Sequence, residues 1–186
     1  GRVGSSSGTA AGGVDENYFF SAFEDAPKVN LYSVRELDEL MTKINDVVGN
    51  ANNEWDKRVE MLRKIRSVMV AGGPNYEEFY SHLRLLEPAL SLSIKDLRST
   101  VVREACITIA YLSQELHHRV DHMCEMVLPS LIGLIPNGAK VMATSGMVCI
   151  RFMIQNTHHH KILPILVREL TTSKNKEIRK TLCEFL

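Results

Sequence analysis

The 186-residue sequence contains no run of about 18 consecutive apolar residues, so no segment is expected to cross a membrane as a helix. Its first residues lack the charged and apolar regions of a signal peptide. Neither sign of charge is in excess, with 22 Lys and Arg against 22 Asp and Glu. A protein that works mainly on a phosphate backbone needs a basic surplus, so nucleic acid is excluded as the principal partner, although a local basic face is not. Cysteine is sparse. Cys106, Cys124, Cys149 and Cys183 are far apart and lie in apolar helical runs, which fits buried free thiols in a reducing, cytosolic compartment better than disulfides. No stretch alternates polar and apolar residues with period 2, which removes β-structure. No nucleophile, base and orienting group fall together, so neither an enzyme nor a cofactor is expected. Tryptophan occurs once, at Trp55.

A hydrophobic content of 45% over this length is enough for one globular unit with a sizeable core. Residues 1–13 are rich in Gly, Ser and Ala and read as a flexible linker. Residues 14–32 form an N-terminal extension too aromatic for a linker. There the spacing of Phe19, Phe20 and Phe23 suits one short helix laid on the domain and ended by Pro27. From Ser33 the pattern is helical throughout. Ser33 to Glu36 has the form of a capping box, and Leu37, Leu40, Met41, Ile44 and Val47 or Val48 make the first apolar stripe. Helices are predicted at about 33–49, 56–71, 75–92 (with a kink at Pro88), 98–115, 121–135, 140–156, 160–170 and 176–186, the third opened by a cap-like Asn75 to Glu78.

These helices repeat. Pro88, Pro129 and Pro164 each precede an apolar stripe and recur at roughly 35–41 residues, and the same offsets relate Arg103, Thr144 and Arg179. Two helices per unit at this period is the pattern of HEAT repeats, which stack into an all-α solenoid. Four units are counted, over residues 33–186. The sequence stops inside the apolar helix Cys183 to Leu186 without the polar cap a solenoid end needs, so further repeats are expected after it.

In such a stack the loops joining the two helices of each unit share one edge. Trp55 falls in the first, Lys95 in the second, Asn137 and Lys140 in the third, and Lys174 in the fourth with Lys176 just beyond. The later loops are net positive on a chain of zero formal charge. An aromatic anchor with charge steering is a plausible footprint for an acidic protein partner. The alternative is a HEAT scaffold that holds a peptide or adaptor while Trp55 merely packs.

A lone Trp in the first loop, followed by basic residues in later loops of a HEAT array, resembles a TOG domain. The segments Val101 to Thr108, Asn137 to Gly146 and Asp56 to Arg66 resemble the second TOG domain of CLASP-family microtubule-associated proteins, as does the Phe-rich segment before Ser33. The resemblance implies αβ-tubulin and microtubules as partners of a monomeric domain, with no nucleic acid and no membrane insertion. Trp55 would meet β-tubulin, the Lys95 loop would lie beside it, Lys140 would be a central polar contact, Lys174 with Lys176 would approach α-tubulin, and Asn137 would join the tubulin-binding set. It further implies suppression of microtubule catastrophe, promotion of rescue, and residence at plus ends and possible spindle or kinetochore sites. Such a domain normally has six repeats, so the chain reads as truncated after the fourth.

Two other motifs fall away. Gly133 to Val141 resembles a phosphate-binding loop, but the Lys is not followed by a hydroxyl residue and the preceding segment is helical. His118 with His122, and the run His158 to His160, lack partners at metal-ligand spacing and read as surface histidines. Met61, Met69, Met126 and Met147 read as core filler.

Overall fold

The computed structural model describes residues 12–186, apart from the side chain of His159. Of the expected linker, residues 1–11 lie outside the described residues. The chain folds into α1 (Glu16–Phe23), α2 (Val34–Val48), α3 (Trp55–Val70), α4 (Glu78–Ile94), α5 (Ser99–Leu116), α6 (Asp121–Ile132), α7 (Lys140–Asn156), α8 (His159–Thr172) and α9 (Lys176–Phe185). Short 3₁₀ turns precede α4 and α6.

From α2 onward the helices pack as successive pairs: α2 with α3, α4 with α5, α6 with α7, and α8 with α9. The first helices α2, α4, α6 and α8 touch in series to form one layer, and α3, α5 and α7 form the second. This is an all-α HEAT solenoid. Each helix owes its place to its apolar face. In α2, Leu37, Met41, Ile44 and Val48 are buried at helical spacing, while Asp38, Glu39 and Lys43 stay on the wet side. Central α5 packs against α1, α3, α4 and α7, so it is buried almost all round, from Val101 to Leu116.

The helix ends follow local chemistry with some departures from expectation. Ser33 accepts the Glu36 amide at 3.2 Å, but the Glu36 carboxylate reaches back to the amide of Tyr32 (2.7 Å), one residue beyond the expected partner. No side chain caps α4, which starts at Glu78 instead of at Asn75. The chain turns into it through Gly72, held at φ +92°, where a side chain would strain the backbone. Helices α4, α6 and α8 run on through Pro88, Pro129 and Pro164. At Gly146 of α7 an added Cβ would sit 3.0 Å from both the Leu131 carbonyl and Leu134 Cβ, so α6 and α7 approach closely only because that position is glycine.

Helix α1 is capped by Asp15, which accepts the Tyr18 amide at 2.8 Å. It ends at Phe23, four residues before Pro27. Phe19 and Phe23 are buried. The Phe19 ring stacks on Phe152 of α7 (5.9 Å between centroids) and the Phe23 ring meets Tyr111 of α5 (5.2 Å). Phe20 is partly exposed. Thr144 breaks the arginine register of the repeats and serves the N-terminal extension instead. Its hydroxyl accepts the Val14 amide at 2.9 Å and ties the chain entering α1 to α7.

Charge is also buried between α3 and α5. Glu104 takes Arg66 on one carboxylate oxygen and Arg63 on the other, each at 3.2 Å. Arg66 also donates to Thr108 at 2.7 Å. Burial lowers the Arg66 pKa from its ordinary value despite Glu104, whereas the hydrogen bond to Glu104 raises that of half-exposed Arg63.

Two composition-based expectations are corrected. Cys106, Cys124 and Cys149 are buried free thiols, but Cys183 of α9 is exposed. Met126 is 47% exposed on α6 and is not core filler, whereas Met61 and Met69 are buried. A helix carries residues on every face, and a mixed apolar run does not say which one meets a neighbour.

Candidate protein-binding edge

Of the four loops inside the helix pairs, the first three meet around two shared cavities. The first, residues 49–54, is held by its own asparagines. Asn50 accepts the Asn52 amide at 2.9 Å, and Asn53 donates to the Val47 carbonyl at 3.0 Å, closing the end of α2. Trp55 is therefore not a loop residue, as the sequence pattern suggests, but the first residue of α3. It is 41% exposed. The Arg98 guanidinium lies 5.5 Å from its ring centroid, a cation–π contact across to the second loop.

Lys95 closes α4, where a cation suits the negative helix end. Arg58, one turn into α3, is 1% exposed. It reaches under the second loop to the Asp96 carboxylate and to the Ser93 hydroxyl (3.3 Å). Asp96 accepts the Arg98 amide at 2.8 Å with its other oxygen. The loop thus folded lifts Leu97 clear of the protein, 97% exposed.

Two open cavities flank Leu97. One, of about 690 Å³, lies between Trp55, Asn53, Leu92, Lys95, Leu97 and Arg98. The other, of about 590 Å³, runs from Lys95 and Leu97 to Pro129, Leu134, Asn137 and Met142. Trp55, Lys95 and Asn137 therefore border one continuous edge. Asn137 uses its side-chain oxygen to accept the Ala139 amide at 2.8 Å, shaping its own loop. Lys140 is the first residue of α7, Lys176 the first of α9, and Lys174 lies in the loop before it, all exposed. Neither Lys174 nor Lys176 borders the two cavities. Asn175 caps α9 by accepting the amides of Glu177 (2.9 Å) and Ile178 (3.2 Å).

The placement of these cations runs against helix electrostatics. Arg98, Lys140 and Lys176 sit at the N-terminal ends of α5, α7 and α9, where the dipole favours acids. Such a departure from local preference concentrates at functional sites.

Sequence pattern alone does not single out Arg58, Asp96, Leu97 and Arg98. Arg58 shares a helical stripe with Leu62, Ile65 and Met69, so a charge on an apolar face was the available sign of a buried pair. Leu97, a lone leucine in a polar loop, carried the same kind of signal as Trp55.

Elsewhere, several of the described histidines have neighbours. His122 pairs with Glu87 at 2.7 Å, His158 with Asp121 at 2.9 Å, and His118 stacks on His158. Among the described residues no cluster of three or more His, Cys, Asp or Glu could hold a metal ion, and no helix is long and apolar enough to cross a membrane.

Comparison with known proteins agrees with this architecture. The family described as CLASP N terminal matches residues 37–186. The chain belongs to the CLASP family. It is 45% identical over 185 residues to CLIP-associating protein 1 of Xenopus tropicalis, covering the whole of this chain and 13% of that protein. It is 37% identical to the CLIP-associating protein of Drosophila melanogaster over 95% of this chain and 12% of the relative. With protein CLASP-2 of Caenorhabditis elegans the identity is 33%, over 93% and 17% respectively. The chain thus spans less than a fifth of the length of these CLASP relatives. Its helical solenoid is the TOG-like domain of the family.

Proposed function

We propose that this chain is a tubulin-binding module of the second-TOG type that engages αβ-tubulin along the loop edge. The observation that carries this reading is the pair of apolar side chains, Trp55 and Leu97, exposed on one edge beside Lys95. Apolar side chains so exposed, framed by charge, fit an anchor-and-steering contact with an acidic protein surface. The family relationship favours tubulin as that partner. Trp55 and the Lys95 loop would face β-tubulin, Asn137 and Lys140 the middle of the contact, and Lys174 with Lys176 α-tubulin. In the whole protein this contact would associate it with microtubules at plus ends, suppress catastrophe and promote rescue. The partly exposed ring of Trp55 argues against a scaffold in which it is merely core.

The test is Trp55→Glu, with folding checked by circular dichroism and tubulin binding by sedimentation or light scattering. Loss of a hot-spot tryptophan costs at least ~2 kcal/mol, roughly thirtyfold in Kd. Unchanged affinity in a folded variant would overturn the loop-edge assignment.

A further inference from the structure

Four side chains on this edge close a ring. Trp55 and Arg58 are one turn apart on α3. Arg58 is buried and commits both terminal nitrogens to the second loop, one to Asp96 and one to Ser93, whose hydroxyl in turn donates to the Ala89 carbonyl at 2.9 Å. Asp96 holds the backbone of Arg98, and the Arg98 guanidinium returns to the Trp55 ring. The circuit crosses two repeats and has two exposed members at its outer rim, Trp55 at the start of α3 and Arg98 at the start of α5.

We infer that Arg58 and Asp96 are positioning residues that latch the second loop against α3 and so fix Trp55 and Leu97 in their binding pose. The physical case rests on burial. A guanidinium taken out of water strongly requires its carboxylate partner, so the Arg58–Asp96 contact is among the least dispensable on this edge. Asp96 cannot move without uncoupling the Arg98 amide, and Arg98 then no longer shields the ring. Leu97 lies between Asp96 and Arg98 and is oriented by the same two anchors. Without the latch, the loop samples poses in which the two apolar prongs are not presented together. The apparent affinity then falls by the fraction of molecules that remain competent; if that is about one-tenth, Kd rises about tenfold. The role in binding rests on the tubulin reading above, whereas the latch itself does not.

Trp55 is the only tryptophan, so its fluorescence reports this ring of contacts directly. The experiment compares the unaltered chain with Asp96→Asn and with the double variant Arg58→Met/Asp96→Leu. The double variant replaces the buried pair with apolar side chains, a change that commonly preserves stability. Each is measured by urea unfolding, acrylamide quenching of Trp55, and tubulin affinity. Both variants should show Trp55 more readily quenched and tubulin bound about tenfold more weakly, with the double variant keeping the urea midpoint. Unchanged quenching in the folded double variant would overturn the latch. Freed Trp55 with unchanged affinity, or weakened affinity with unchanged quenching, would overturn its role in binding. If the unaltered chain itself fails to bind tubulin, the function reading falls, while the quenching arm still decides the latch.

Discussion

Cys124 and Cys149 show how burial governs single residues. Desolvation pushes the Cys124 thiol up to about 12 and that of Cys149 well above its ordinary value. The folded state therefore holds these protons more tightly than the unfolded chain does. Their contribution to stability is whole below the unfolded thiol pKa of about 8.5 and declines as pH rises toward 12. The expected loss is up to ~1.4 kcal/mol per pH unit for each thiol. Urea midpoints measured across that alkaline range should fall less steeply for Cys124→Ala than for the unaltered chain; identical slopes would contradict the assignment. At neutral pH Ellman's reagent should label Cys183 quickly and the three buried thiols only on unfolding. Sequence alone placed all four in apolar runs, and only packing separates Cys183 from the others.

Among the helices, the α3–α5 contact depends on one carboxylate. Glu104 is buried and balances Arg66, also buried, together with Arg63, whose side chain is 42% exposed. Glu104→Gln leaves Arg66 charged and uncompensated, a loss of about 3–5 kcal/mol. Arg63→Ala removes a partner already screened by solvent and should cost under about 1 kcal/mol. Chemical denaturation of the two variants would compare them, and equal losses would show that burial does not set the difference. The helix boundaries were legible to within a few residues because capping and amphipathic spacing are local. The cap of α4 was not, since Gly72 and the 3₁₀ turn at Gly73–Asn75 replace the side-chain cap suggested by Asn75 to Glu78.

Across the whole molecule, stacking converts separated loops into one edge. Trp55, Lys95 and Asn137 are brought to a continuous surface, while Lys140, Lys174 and Lys176 are exposed but line neither of its cavities. Exposed charges at such separations act through a field that salt screens over about 10 Å at 0.1 M. Lys140→Glu and Lys174→Glu should therefore slow tubulin association chiefly at low salt and converge on the unaltered chain as salt rises. Stopped-flow association rates across a salt series would test this, and a defect independent of salt would argue against steering.

The sequence by itself determined the helices, their repeat and the standing of Trp55 as an apolar outlier near a helix boundary, because helix periodicity, capping and turn chemistry are properties of neighbouring residues; that Trp55 opens α3 instead of ending the loop before it came from the structure. Arg58 and Arg66 are visible there as charges on apolar stripes, but their partners are not. Tertiary structure alone decided that Arg58 meets Asp96 and Ser93, and Arg66 meets Glu104. It alone decided that Thr144 anchors the chain before α1 and that Leu97 stands clear between two cavities. Those outcomes depend on which helix faces lie opposite one another once the repeats stack, and that geometry arises only when residues about forty positions apart are buried together.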